Sequence, residues 1–385
     1  MLRTSLDSLP PSRIREVANA ALGREDLVKF WFGEGDLPTP AFIREAAKRA
    51  LDAGDTFYNH NLGLQELREE IARYASRLHD VTIEPERVAV TSAGVNALSL
   101  IAQALLDPGD RVAIVTPVWP NVTSIPRILG AEVVRVPLSA HGGRWSLDLD
   151  RLLDAARGAR AVIVNSPNNP TGWTMPQPQW DALAAFCRRH GIWLVADDAY
   201  ERLVYDGAPH APGVLAQVDA DERFISANTF SKAWSMTGWR LGWLIAPRGF
   251  VAQLAKLIEF NTSCAPPFVQ RAGIVALRDG EPLVRETVAR LARARDLLAL
   301  RLSALPGVEA AAPPGAMYLF FRIPGASDDS LAFAKELVTR VGLGLAPGIA
   351  FGPEGEGYLR WCFAATEALI EEGVRRLQAF LRSAR

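Results

Sequence analysis

Val88-Ala-Val-Thr-Ser-Ala-Gly-Val-Asn-Ala-Leu-Ser-Leu-Ile-Ala-Gln-Ala-Leu-Leu106 reads as a short β-rich run, a turn of small residues and an apolar helix in direct succession. The same unit recurs outward from it. Residues 111–116 precede a helical run at 122–129, 133–137 stands next, and 161–165 precedes 179–190. Runs at 192–196 and 224–227 follow, then 241–246 before 251–260. Strands alternating with helices predict an α/β fold with a mostly parallel sheet covered on both faces, because parallel neighbours need a long crossover. No segment repeats at a fixed period and none is low in complexity.

Both ends of the chain have a different texture. Residues 1–40 look irregular, punctuated by Pro10, Pro11, Pro38 and Pro40, with one apolar run at 27–32 that ends in the turn Gly33-Glu-Gly-Asp36. Helices are predicted at 41–53 and 65–78. After Pro266-Pro267 come helices at 268–277 and 281–305, strands of a separate sheet at 317–323, 344–346 and 358–364, and a terminal amphipathic helix at 367–381. These patterns predict a large α/β domain at 45–280 and a smaller α+β domain from 1–44 and 281–385. The first forty residues, too few for a core of their own, should pack on the smaller domain.

Composition narrows the function. The 385 residues are 49% hydrophobic with a formal net charge of −1, and no basic block suggests nucleic acid or an anionic membrane as partner. Met1 to Pro11 lacks an apolar signal core, and no later run is long enough to span a bilayer. Cys187, Cys264 and Cys362 follow no metal-ligand spacing, so no metal is expected and free thiols in a reducing cytoplasm are.

Ligands of open parallel sheets bind beyond the carboxyl ends of the strands. The chemically interesting residues fall there in turn: Ser92–Asn96, Trp119–Asn121, Ser166–Gly172, Asp197–Tyr200 and Thr229–Lys232. Ala93-Gly94-Val95 offers bare amides at a helix start, which suits an anion, though a plain helix-start glycine reads the same way. Asn169 sits in a Pro- and Gly-bearing turn, where its amide could reach a ligand. Asp197 ends a buried strand and needs a cation or hydrogen bonds, or else caps the next helix. Asp198 is read as structural. Trp119, between two prolines, could be core or could stack on a flat ring.

Lysine is scarce here: Lys29, Lys48, Lys232, Lys256 and Lys335 stand against a large excess of arginine. Three lie in helical runs, whereas Lys232 follows a strand among small and hydroxylated residues. Lysine, unlike arginine, can lose its proton and attack a carbonyl. With Thr229, Ser231 and Arg240 it supplies an amine, hydroxyls and a fixed positive charge, the parts that an aldehyde cofactor with a phosphate tail needs. Arg360, the lone charge in Tyr358-Leu-Arg-Trp-Cys-Phe-Ala364, could grip a carboxylate through two parallel hydrogen bonds or belong to a solvated strand face.

From Gly33 to about Arg376 the chain resembles the class I/II aminotransferases of the aspartate aminotransferase superfamily, enzymes of pyridoxal phosphate fold type I. The resemblance rests on Tyr58 with Gly63-Leu-Gln-Glu-Leu-Arg68, Asn169-Pro-Thr-Gly172, Asp197-x-x-Tyr200, Ser231-Lys232, Met236-Thr-Gly-Trp-Arg-Leu-Gly242 and Leu359-Arg360, in order and at family-like spacings. It implies a seven-stranded, mostly parallel sheet and pyridoxal 5'-phosphate bound covalently to Lys232. Asp197 would pair with the ring nitrogen, Asn169 and Tyr200 with the phenolic oxygen, and Trp119 with the ring face. Ala93, Gly94, Val95, Thr229, Ser231 and Arg240 would hold the phosphate, with Tyr58 reaching over from a second subunit of a homodimer. Gly33 and Arg360, beside Trp119 and Asn169, would face the amino acid.

The implied activity is ping-pong transfer of an amino group between an L-amino acid and a 2-oxo acid. Val95 stands where a polar side chain is frequent, and Thr229 where serine is. A carbon–sulfur β-lyase would share every cofactor residue and differ in its products, ammonia and pyruvate. A non-catalytic regulatory protein on the same fold is the more distant alternative, opposed by intact Lys232, Asp197 and Arg360. No second cation for a distal carboxylate can be assigned from spacing. Phe30, Trp31, Phe32, Trp119 and Cys264 are candidates for an apolar pocket, which favours a neutral, hydrophobic or aromatic donor.

Overall fold

Val88–Thr91 (β1), Arg111–Thr116 (β2), Glu132–Pro137 (β3), Ala161–Asn165 (β4), Trp193–Asp197 (β5), Phe224–Thr229 (β6) and Gly242–Ile245 (β7) form one sheet in the order β1-β7-β6-β5-β4-β2-β3. The computed structural model describes residues 9–383, so most of the Met1–Pro11 stretch lies outside the described residues. Every pairing from β6 to β3 is parallel, and β7 runs antiparallel to both of its neighbours. The reason is local: β6 and β7 are joined by a loop holding only a short 3-10 turn at Thr237–Trp239, with no crossover helix.

Alternation along the strands fills both faces. Val88, Val90, Ala113, Val115, Val162 and Val164 share one core with Ile71 and Leu183. Ala89, Val112, Ile114, Ile163, Val195 and Ile225 share the opposite one with Leu98, Ile101 and Leu254. The helices beyond the N-terminal segment are Ala41–Asp52 (α2), Gln65–His79 (α3), Gly94–Leu105 (α4), Pro120–Ile128 (α5), Leu149–Ala156 (α6), Gln177–His190 (α7), Arg248–Glu259 (α8) and Pro267–Asp279 (α9).

A third core gathers the chain's two ends. Tyr318–Arg322 (β8), Ala346–Pro347 (β9) and Tyr358–Cys362 (β10) form an antiparallel sheet in the order β8-β10-β9. Glu281–Ser303 (α10), Ser330–Val341 (α11) and Glu367–Ser383 (α12) accompany it. Val17, Phe30 and Trp31 join this cluster, and Val28–Lys29 pairs in parallel with Leu343–Gly344.

The sequence reading erred where elements are short. The N-terminal forty residues contain a helix, Arg13–Asn19 (α1), whose N-cap Ser12 accepts from the Arg15 amide at 3.3 Å. Helix α6, capped by Asp148, and the hairpin Ser139–His141 with Arg144–Ser146 went unread, since one or two turns carry little periodicity. The run at 344–346 is two pieces in different sheets, divided where Gly344 admits the Trp31 ring; a Cβ there would meet it at 2.3 Å. Among the described residues no helix is long and apolar enough to cross a membrane.

Candidate active site

A cavity of ≈ 280 Å³ opens at the carboxyl ends of β4, β5 and β6. The parallel strands bring Asn169, Asp197, Tyr200 and Thr229 to it, the β6–β7 loop adds Ser231, Lys232 and Arg240, and Gly94, Val95 and Trp119 close one side. Gly33 and Arg360 arrive from the third core. Ala93 is buried beneath the cavity wall rather than lining it. Tyr58 is 90% exposed and stays outside the cavity of its own chain.

One end of the cavity is built for an anion. Ala93 takes φ +113° and offers no side-chain cap, so the first amides of the twelve-residue helix α4 face the cavity without a side-chain partner. Close backbone approach holds them there: a Cβ on Gly242 would meet the Gly94 nitrogen at 2.7 Å. Opposite, Thr229 Oγ1 donates to Ser231 Oγ at 2.9 Å and accepts from the Ser231 amide at 3.1 Å. Arg240 adds a guanidinium from a left-handed backbone position, φ +53°. Amides, hydroxyls and a fixed cation suit a phosphate dianion.

The Asp197 carboxylate, last in β5 and 6% exposed, accepts among the described residues from the Ala199 amide alone, at 3.4 Å. Burial pushes its pKa up to about 6. Such a group wants a cation, and a protonated pyridine nitrogen would be one. Asn165, which the sequence reading passed over, fixes this corner: its Nδ2 donates to the Asp197 carbonyl at 3.1 Å and its Oδ1 accepts from the Asn169 amide at 2.8 Å. Asp198 instead accepts from Ser226 Oγ, on β6, and lines no part of the cavity. The donor set therefore fits pyridoxal phosphate from phosphate to ring nitrogen.

Burial lowers the Lys232 pKa to about 8, with the Arg360 and Arg240 charges acting in the same direction. Its Nζ donates to the Gly33 carbonyl at 2.6 Å. Arg360 is 2% exposed, so it is not on a solvated strand face. It donates to Asn169 Oδ1 at 3.2 Å and to the Trp31 carbonyl, while its Nε has no partner. A buried guanidinium with an N–H to spare is set for an incoming carboxylate.

Of the apolar candidates, Trp31, Phe32 and Trp119 line the cavity, while Phe30 packs on Trp361 with ring centroids 4.6 Å apart. Cys264 lies in the loop before α9, away from the cavity. Tyr318, Ile14 and Leu98 line it without having been singled out, because a tyrosine or aliphatic residue inside an apolar run carries no functional signal in one sequence. Among the described residues no group of three His, Cys, Asp or Glu could hold a metal ion.

The family model of aminotransferase class I and II matches residues 26–377. An aspartate aminotransferase of Pyrococcus horikoshii is 35% identical over 373 residues, 96% of this chain and 94% of that protein. An aromatic-amino-acid aminotransferase of Thermococcus litoralis is 33% identical over 99% of this chain and 98% of its own. The structure of Thermus thermophilus aspartate aminotransferase with maleate superposes with a TM-score of 0.91 at 33% identity, covering 98% of this chain and 99% of that one.

Proposed function

For a chain that belongs to the class I and II aminotransferases, and is therefore a pyridoxal phosphate-dependent transferase of amino groups, we propose donors with neutral, hydrophobic or aromatic side chains. One observation carries this. The basic residues lining the cavity are Lys232, Arg240 and Arg360, each already engaged by cofactor or α-carboxylate in our assignment, and its apolar lining includes Ile14, Trp31, Phe32, Leu98 and Trp119. A second carboxylate would meet no free cation among the described lining residues, and burying it unpaired is costly. Arg15 stands outside the cavity, 5.9 Å from the Phe32 ring centroid.

When bound, pyridoxal phosphate supplies an aldehyde for the donor amine and a protonated ring that withdraws electrons from the substrate Cα. The protein's part is placement and proton handling. The Gly94 and Val95 amides with Thr229, Ser231 and Arg240 hold the phosphate, and Trp119 covers the ring face. Asp197 keeps the ring nitrogen protonated, while Asn169 and Tyr200 hold the phenolic oxygen. Arg360 fixes the α-carboxylate, which sets the Cα–H against Lys232. The Lys232 Nζ, kept short of its ordinary proton affinity by burial, takes that proton and hands it on.

We assign the large unit to 45–280 and the small one to 1–44 with 281–385, a homodimer as the working form, and the cytoplasm as the setting. Exposed Phe57, Tyr58 and Phe260, at 81%, 90% and 90%, support a partner that covers them. The unpaired cysteines support a reducing compartment. The test is a donor panel with 2-oxoglutarate and pyruvate as acceptors. Aromatic and neutral aliphatic donors should exceed aspartate in kcat/KM by about tenfold or more; a preference for aspartate overturns the donor assignment.

A further inference from the structure

Tyr318 opens β8, belongs to none of the motifs above, and meets three parts of the site from a fully buried position. Its hydroxyl lies 2.6 Å from that of Tyr200, with the rings edge-on at 5.5 Å between centroids. Its ring face carries the Arg360 guanidinium, whose Cζ is 4.5 Å from the centroid. A Cβ on Gly33 would come within 2.1 Å of its hydroxyl oxygen, so that oxygen rests against the backbone whose carbonyl accepts a hydrogen bond from Lys232 Nζ. The pairing of β8 with β10 sets this geometry, with Tyr318 opposite Cys362 and Phe320 opposite Arg360.

We propose that Tyr318 is a positioning residue that joins the ring-oxygen tyrosine and the carboxylate-binding arginine into one unit, using its hydroxyl for Tyr200 and its ring for Arg360. The inference rests on the assignment of Tyr200 to the phenolic oxygen and of Arg360 to the α-carboxylate. Tyr200 must spend its single O–H on the cofactor, so its oxygen is left as acceptor and the Tyr318 O–H donates to it. A donor to the Tyr200 oxygen polarises the Tyr200 O–H and strengthens the bond it gives. Burial holds both Tyr200 and Tyr318 above the usual phenol range, so both hydroxyls stay protonated. The ring face in turn gives a desolvated guanidinium a flat seat that a saturated side chain would not.

The two roles separate in Tyr318→Phe, which keeps the ring and drops the hydroxyl, and Tyr318→Leu, which drops both. Each holoenzyme is read for the pH midpoint of the bound cofactor's visible absorbance change and for the KM of a neutral donor. Tyr318→Phe should raise the midpoint by roughly half a pH unit, because a less stabilised phenolic oxygen holds a neighbouring proton longer. Its KM should stay within about twofold, while Tyr318→Leu should raise KM roughly tenfold as well as moving the midpoint. An unmoved midpoint in Tyr318→Phe, or an unchanged KM in Tyr318→Leu, overturns the proposal. Tyr200→Phe is run alongside. If it moves the midpoint and Tyr318→Phe does not, the Tyr318 role alone fails; if it leaves the midpoint in place, the Tyr200 assignment falls too.

Discussion

Lys232 Nζ donates to the carbonyl oxygen of Gly33 at 2.6 Å, a contact between residues 199 positions apart. A neutral carbonyl holds the amine in place without the charge that would fasten its proton, so burial is left to depress its pKa. The same contact ties the β6–β7 loop to the N-terminal segment at the cavity wall.

Lys232→Ala should therefore lose the nucleophile and the base together. Turnover should fall by at least about 10⁴-fold, and borohydride should leave no pyridoxyl label on the peptide containing position 232. The phosphate cradle is untouched, so absorbance after desalting should show some cofactor still bound. A labelled peptide elsewhere in the chain would reassign the anchor.

Arg360→Ala should raise the donor KM by roughly 30- to 100-fold through loss of a bidentate, charge-assisted contact. Arg360→Lys should recover only part of it, since an ammonium cannot present the planar fork. Steady-state kinetics with one donor decide this, and normal KM values in both variants would remove Arg360 from the carboxylate site.

Asp197→Asn should stabilise the cofactor-free protein at neutral pH while weakening cofactor binding. Burial raises the folded-state pKa from 3.8 to about 6. The folded protein then holds this proton longer than the unfolded chain does, so its contribution is intact below the unfolded pKa and is lost as pH rises through the folded one. Relative to wild type, the variant should gain up to roughly 3 kcal/mol between pH 4 and 7 in urea unfolding. A difference that is constant across that range contradicts the buried-carboxylate account.

Gly242→Ala should push the start of α4 out of place, because the new Cβ would meet the Asn228 carbonyl oxygen and the Gly94 nitrogen at 2.7 Å each. Backbone cannot yield as a side chain can. The expected loss is about 1–3 kcal/mol of stability, with cofactor affinity falling tenfold or more at equilibrium dialysis.

Mixing Lys232→Ala subunits with Tyr58→Ala subunits tests whether sites are shared. If Tyr58 serves its neighbour, a hybrid dimer carries one doubly defective and one intact site; hybrids make up about half of an equal mixture at random pairing, so activity should climb toward about a quarter of wild type after subunit exchange. Activity that never exceeds the average of the two parents would place Tyr58 outside the site.

The sheet and most of the site could be read from the sequence because both follow period and position. Alternation at Val88, Val90, Val112 and Ile114 announces strands, and parallel strands send their next residues to one edge, where Asp197, Thr229 and Lys232 are found. Helix α1 was hidden by its seven residues, and Tyr318 and Asn165 by ordinary residue types in ordinary strands. Their importance comes from contacts with residues far along the chain, such as the Tyr200 hydroxyl 118 positions away, which no local pattern encodes. Phe30 and Cys264 illustrate the converse: apolar character alone does not say which side of a backbone faces a cavity.

Strand β1 sits at an edge of the sheet and pairs with β7, Val88 opposite Ile245. The helix bearing the anion-binding amides starts three residues after β1 ends, at Gly94, yet Gly242 is the residue that frames it. A ribosome adding about 5–20 residues per second needs roughly 8–30 s to travel that far. A nascent chain halted before residue 245 should thus capture no vitamin, and loading should begin only once the seventh strand has left the exit tunnel.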